Sequence, residues 1–124
     1  MRFFIVLPSS LIVLIAVLVI GASRKTPEPQ TLYPDPEGAE EFLRRGELYE
    51  RAGDYEKAFS DYEQAALLEP ENSVAYLEQG SVLAALGKSE AAIEKYLIVK
   101  EIDRENGVST QIVEDLIEVE QGKL

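Results

Sequence analysis

The 124-residue sequence predicts an all-α fold: two helix–turn–helix units plus a C-terminal capping helix, preceded by an N-terminal transmembrane helix. Three observations predict it. Two stretches match at one constant offset, pairing Phe42 with Tyr76, Gly46 with Gly80, Gly53 with Gly87, Ala58 with Ala92 and Tyr62 with Tyr96. From Ala39 onward, large and small apolar residues recur at helical spacing. Residues 3–22 carry no charge. A repeat decides architecture before local propensity does, because each unit is too small to bury its own apolar face and must stack on a neighbour.

Phe3 to Ala22 reads FFIVLPSSLIVLIAVLVIGA, with Ser9 and Ser10 its only clearly polar side chains. At ~1.5 Å per residue such a helix spans roughly 30 Å, the thickness of a bilayer's hydrocarbon core. The expected element is a single-pass membrane anchor over residues 1–23. A cleavable secretory signal is the competing reading. Pro8-Ser9-Ser10 isolates the apolar block from Leu11 to Ala22, and Gly21-Ala22-Ser23 offers small residues that a signal peptidase accepts. The apolar residues before Pro8, with Arg2 as the only base, favour an uncleaved anchor. Orientation is nearly balanced, with Arg2 on one side and Arg24 and Lys25 on the other. The short N-terminal flank tips the expectation to a repeat domain on the non-cytoplasmic side.

Residues 24–38 contain Pro27, Pro29, Pro34 and Pro36. Proline fixes φ and removes the amide donor, so a partly stiff, extended linker is expected here, holding the domain off the membrane. Helices are then expected at about 39–52, 55–69, 73–86, 89–103 and 108–121. Phe42, Gly46 and Tyr49 share a face, as do Ala58, Tyr62 and Ala65, and again Ile112, Leu116 and Val119. Gly53 and Gly87 end the first helix of each pair, where glycine takes the left-handed closing conformation without steric cost. Asp54 and Ser89 are candidate caps for the helices that follow. Pro70 stops the second helix, Asn72 or Ser73 starts the third, and Asn106-Gly107 marks the turn before the last. The units are thus 39–72 and 73–106, with residues 107–124 as capping helix and tail.

These residues resemble the tetratricopeptide repeat family over 39–106. The first unit has the leading aromatic Phe42, the small Gly46, the aromatic Tyr49, Gly53-Asp54-Tyr55, Ala58, Tyr62, Ala65 and the closing Pro70. The second keeps Tyr76, Gly80, Gly87, Ala92 and Tyr96 but departs at Leu83, Val99 and Arg104. Arg104 stands where the proline would be, so the fourth helix is expected to run on or end less sharply. Arg45 replaces the usual leucine before Gly46. All these positions read as core, with small residues letting paired helices approach and rings filling the next layer.

The resemblance implies a protein partner, a helix or an extended segment, held in a groove lined by the first helix of each pair. By position, the groove residues would be Leu43, Arg44, Glu47, Glu50 and Arg51, then Leu77, Glu78, Ser81, Ala84 and Ala85. Leu43 and Glu47 stand where the chaperone-binding members need a base and an amide, so carboxylate clamping of that kind is not expected. A groove charged on one unit and apolar on the other suits a segment with a hydrophobic side and a basic end facing Glu47, Glu50 and Glu78. For a single exposed charge, a solvated face is the plainer reading.

The chain has no Cys and no His, and its net charge is −11. It lacks an ordinary proton shuttle, a thiol nucleophile and a soft metal ligand. Residues 1–25 carry only bases (Arg2, Arg24, Lys25), so the acidic excess lies in the domain, which would repel nucleic acid. No glycine-rich phosphate loop or calcium loop appears. Neither enzymatic activity nor any cofactor or metal is expected. What remains is a membrane-tethered adaptor that helps assemble membrane complexes, a structural small subunit of such a complex, or a secreted scaffold if the leader is cut. Two units and a cap are fewer than the roughly three that such stacks need, so marginal stability alone, or completion by a partner or by self-association with a second copy, is expected.

Overall fold

The computed structural model describes residues 27–124, which form six helices: α1 (Pro29–Leu32), α2 (Ala39–Arg51), α3 (Tyr55–Leu68), α4 (Ser73–Ala85), α5 (Ser89–Glu105) and α6 (Gln111–Gln121). The expected anchor over residues 1–23 lies outside the described residues. Among those described, no helix is long and apolar enough to cross a membrane.

Each helix packs chiefly on its neighbours in sequence, so α2–α3 and α4–α5 form two stacked hairpins closed by α6. The hairpins close through glycine. Gly53 and Gly87 take φ of 80° and 73°, which only glycine adopts freely. Beyond each, an amide turns back to the helix it leaves: Asp54 N donates to Tyr49 O at 2.9 Å and Lys88 N to Leu83 O at 2.8 Å. Asp54 caps α3, accepting from Lys57 N at 3.4 Å, and Lys57 Nζ pairs with it at 2.8 Å. Asn72 caps α4 by accepting from Val74 N at 3.2 Å.

Within each hairpin a tyrosine ring fills the place of a missing side chain. A Cβ built on Gly46 would lie 2.5 Å from Tyr62 Cε1, so only glycine admits the ring. Ala58, Ala65, Ala75 and Ala92 are fully buried, keeping the backbones close. The core runs continuously from Ala39, Ala65 and Ala75, through Tyr49, Tyr62 and Val82, to Tyr96, Val99, Val113 and Ile117.

Three expectations need correction and one is met. Part of the proline-rich linker is helical: Pro29 opens α1, where its missing amide costs nothing, and is buried in the fold. Ser89 is not a cap; it is the first residue of α5, and its hydroxyl donates to Glu120 at 2.6 Å. Helix α5 runs on to Glu105, as the absence of proline at Arg104 foreshadowed. Helix α6 starts at Gln111 rather than 108 and turns Val113, Ile117 and Glu120 inward, while Ile112 is 74% and Val119 57% exposed. Residues 113, 117 and 120 have the same helical spacing as 112, 116 and 119. The inward stripe looks worse in sequence because it contains a glutamate, yet Ser89 and Lys123 satisfy that carboxylate.

Candidate protein-interaction surfaces

The predicted groove residues lie on α2 and α4, and the two helices differ in what they present. On α2, Arg44, Glu47 and Arg51 are exposed, Leu43 is half-buried against the N-terminal core, and Glu50 is half-buried. Arg44 pairs with Glu40 on its own helix. On α4, Leu77 and Ala84 pack partly into the C-terminal core, Glu78 and Ser81 are half-buried, and Ala85 is exposed. Leu77 and Ala84 are therefore partly structural, and the freely offered apolar strip is narrower than the sequence implied.

Carboxylates dominate the first unit. Glu50 accepts a hydrogen bond from the Tyr62 hydroxyl at 2.9 Å, which orients it at the hairpin's edge. Burial pushes the Tyr62 phenol well up, and the Glu50 carboxylate adds to that, so the hydroxyl stays a donor. Glu47, Glu50, Arg51 and Tyr55 line a shallow cleft of about 400 Å³. Glu78, from the next unit, is held above the usual carboxylate range by burial and by the charges of Glu50 and Glu47. Three acids from two helices thus share one face.

The residue that sequence reasoning left without a role is Arg45. Its guanidinium grips Asp61 through two bonds, Nε to Oδ2 and Nη2 to Oδ1, both 2.7 Å. A third donor, Nη1, reaches the Tyr33 carbonyl at 3.1 Å. The guanidinium carbon also sits 5.5 Å from the Phe42 ring centroid and 6.0 Å from that of Tyr49. Arg45 therefore ties α2 to α3 and ties the segment after α1 to both. A signal was present in the sequence: a base on the first helix and an acid on the second, both at core-facing positions of one hairpin.

The next hairpin has a polar residue at the same place. Gln79 is 1% exposed; its Nε2 donates to the Tyr62 carbonyl at 3.1 Å, while no protein group donates to its Oε1.

Glycine sits under tyrosine twice, at one unbroken period. Residues 39–72 match the tetratricopeptide repeat. The six described helices stand in a tetratricopeptide-like arrangement, and the hairpin α4–α5 reproduces the glycine–tyrosine contact of the matched one. No curated protein matches the chain. Tetratricopeptide repeats generally serve as non-enzymatic scaffolds for protein–protein contact. Among the described residues no group of three or more acids could hold a metal ion.

Proposed function

We propose that this chain is a membrane-tethered tetratricopeptide adaptor. Its groove on α2 and α4 takes a protein segment that brings basic side chains to Glu47, Glu50 and Glu78. The observation that carries this reading is the convergence of those three carboxylates from two helices on one face, with Glu78 half-buried beside like charges. A cation docking there would relieve the repulsion as well as gain charge-assisted bonds. The half-buried Leu43, Leu77 and Ala84 offer the apolar contact such a segment also needs. Tethering rests on the uncharged stretch at residues 3–22. Assembly of membrane complexes is the role that fits an acidic groove held near a bilayer.

The test is gentle extraction of the full chain carrying a C-terminal tag, with co-purifying proteins identified by mass spectrometry and the intact mass read in the same run. The expected result is a full-length mass and companions that are lost from the Glu47→Lys/Glu50→Lys variant. Companions unchanged by that variant would refute the groove, and a mass beginning near Arg24 would refute the tether.

A further inference from the structure

A cleft of about 270 Å³ opens between α3 and α5 over α4, lined chiefly by Glu63, Leu67, Tyr76, Gln79 and Lys95. None of the α2–α4 groove residues takes part. One repeat period earlier in the chain, Leu67, Tyr76, Gln79 and Lys95 correspond to Tyr33, Phe42, Arg45 and Asp61. Those four are the parties to the Arg45 fork. The cleft is therefore the second copy of a place that, in its first copy, the chain fills with its own guanidinium.

In the second copy the chemistry is changed. Gln79 turns its amide nitrogen to the Tyr62 carbonyl, which leaves Oε1 as a buried acceptor that no protein group satisfies. Asp61 is replaced by Lys95, which makes no ion pair among the described residues; its ammonium rests 6.0 Å from the Phe59 ring centroid. A buried acceptor without a donor is costly, so a group that supplies one is recovered as affinity.

We propose that this cleft is a docking site for a side-chain carboxamide, an asparagine or glutamine, presented by a partner protein. A carboxamide donates through its nitrogen to Gln79 Oε1 and accepts through its oxygen from Lys95 Nζ, while Leu67 and Tyr76 pack its stem. A carboxylate would answer Lys95 but repel Gln79 Oε1, and a guanidinium would answer Gln79 but be opposed by Lys95. Because Gln79 is sealed from solvent, the incoming group must displace a neighbouring side chain of the cleft; Lys95, which makes no ion pair among the described residues, is free to move. The site is independent of the acidic groove.

The experiment titrates the ¹⁵N-labelled full chain, kept in mild detergent, with N-acetyl-glutamine methylamide. The glutamate and norleucine analogues serve as controls with the same backbone amides. The expected result is saturable shifts of the Gln79 side-chain amide and of Leu67 and Lys95 at millimolar probe. Binding of both controls should be about tenfold weaker, as expected when a buried polar group is left unpaired. The Gln79→Arg/Lys95→Asp variant, which rebuilds the chain's own fork, should abolish the Leu67 shift. Gln79→Leu, which deletes the orphan acceptor, should abolish the Leu67 and Lys95 shifts. Equal response to all three probes, no saturable response, or undiminished binding by either variant would each overturn the proposal.

Discussion

The ring of Tyr96 lies where the side chain of residue 80 would be: a Cβ built on Gly80 would stand 2.7 Å from Tyr96 Cδ1 and closer still to Cε1. Tyr96 is 2% exposed and has nowhere to retreat. Gly80→Ala should therefore destabilise the domain by about 1–3 kcal/mol, the range for overpacking a tight core. Gly38→Ala is the control, since nothing lies within 4 Å of its Cβ, and it should stay within about 0.5 kcal/mol. Denaturant midpoints for the two variants decide the matter; equal midpoints would exclude the packing described.

Arg45 and Asp61 should behave as one unit. Arg45→Leu removes the guanidinium but strands the Asp61 carboxylate, which is only 6% exposed. The expected loss is about 3 kcal/mol, the scale for breaking a buried pair. Arg45→Leu/Asp61→Leu removes both charges and should recover most of that loss. A double-mutant cycle with no coupling would show that the two residues are independent.

Glu78 should make the domain less stable as pH rises. Its folded-state carboxyl is raised by burial and by Glu50 and Glu47, so the native state holds the proton more tightly than the unfolded state. Its favourable contribution is complete below the ordinary carboxylate pKa and fades as pH climbs through the raised value. Glu78→Gln should melt higher than the wild type at neutral pH and show a flatter rise in melting temperature as pH falls toward the ordinary carboxylate range. Parallel curves for the two proteins would contradict this.

The inward face of α6 is open to a simple comparison. Ile117→Ala should cost about 2–4 kcal/mol because the side chain packs among Tyr96, Val99 and Val113. Ile112→Ala, on an exposed residue, should cost less than about 0.5 kcal/mol. Reversed magnitudes would restore the face that the apolar spacing suggested.

The hairpins were legible in the sequence because their determinants are local and repeated. Gly53 and Gly87 close turns, Asp54 and Asn72 cap helices, and small residues recur under rings at one period. The same period explains why the stack changes at α6. The step that leads from Gly46 to Gly80 leads next to Glu114, whose side chain no tyrosine ring could overlie. Glu114 instead pairs with Lys100 at 3.0 Å, which holds its carboxyl below the usual range. The site was less legible. Arg45 and Gln79 were visible as departures from a pattern, but their partners lie far along the chain, and nothing local names Tyr33 or the Tyr62 carbonyl as those partners.

By itself the sequence determined the order of the five helices from Ala39 onward, the hairpin turns, the paired glycines and tyrosines, and the acidic character of the α2 surface, all of which follow from spacing and side-chain type within a few turns of helix. Only the tertiary structure decided that Pro29 docks, that Arg45 grips Asp61, that Glu120 rather than Ile112 faces inward, and that Gln79 keeps an unanswered oxygen. The physical reason is that burial and hydrogen-bond satisfaction are properties of contacts between elements. One charged or polar residue can be stable on an inward face when a specific partner meets it there, and periodicity alone carries no record of that partner.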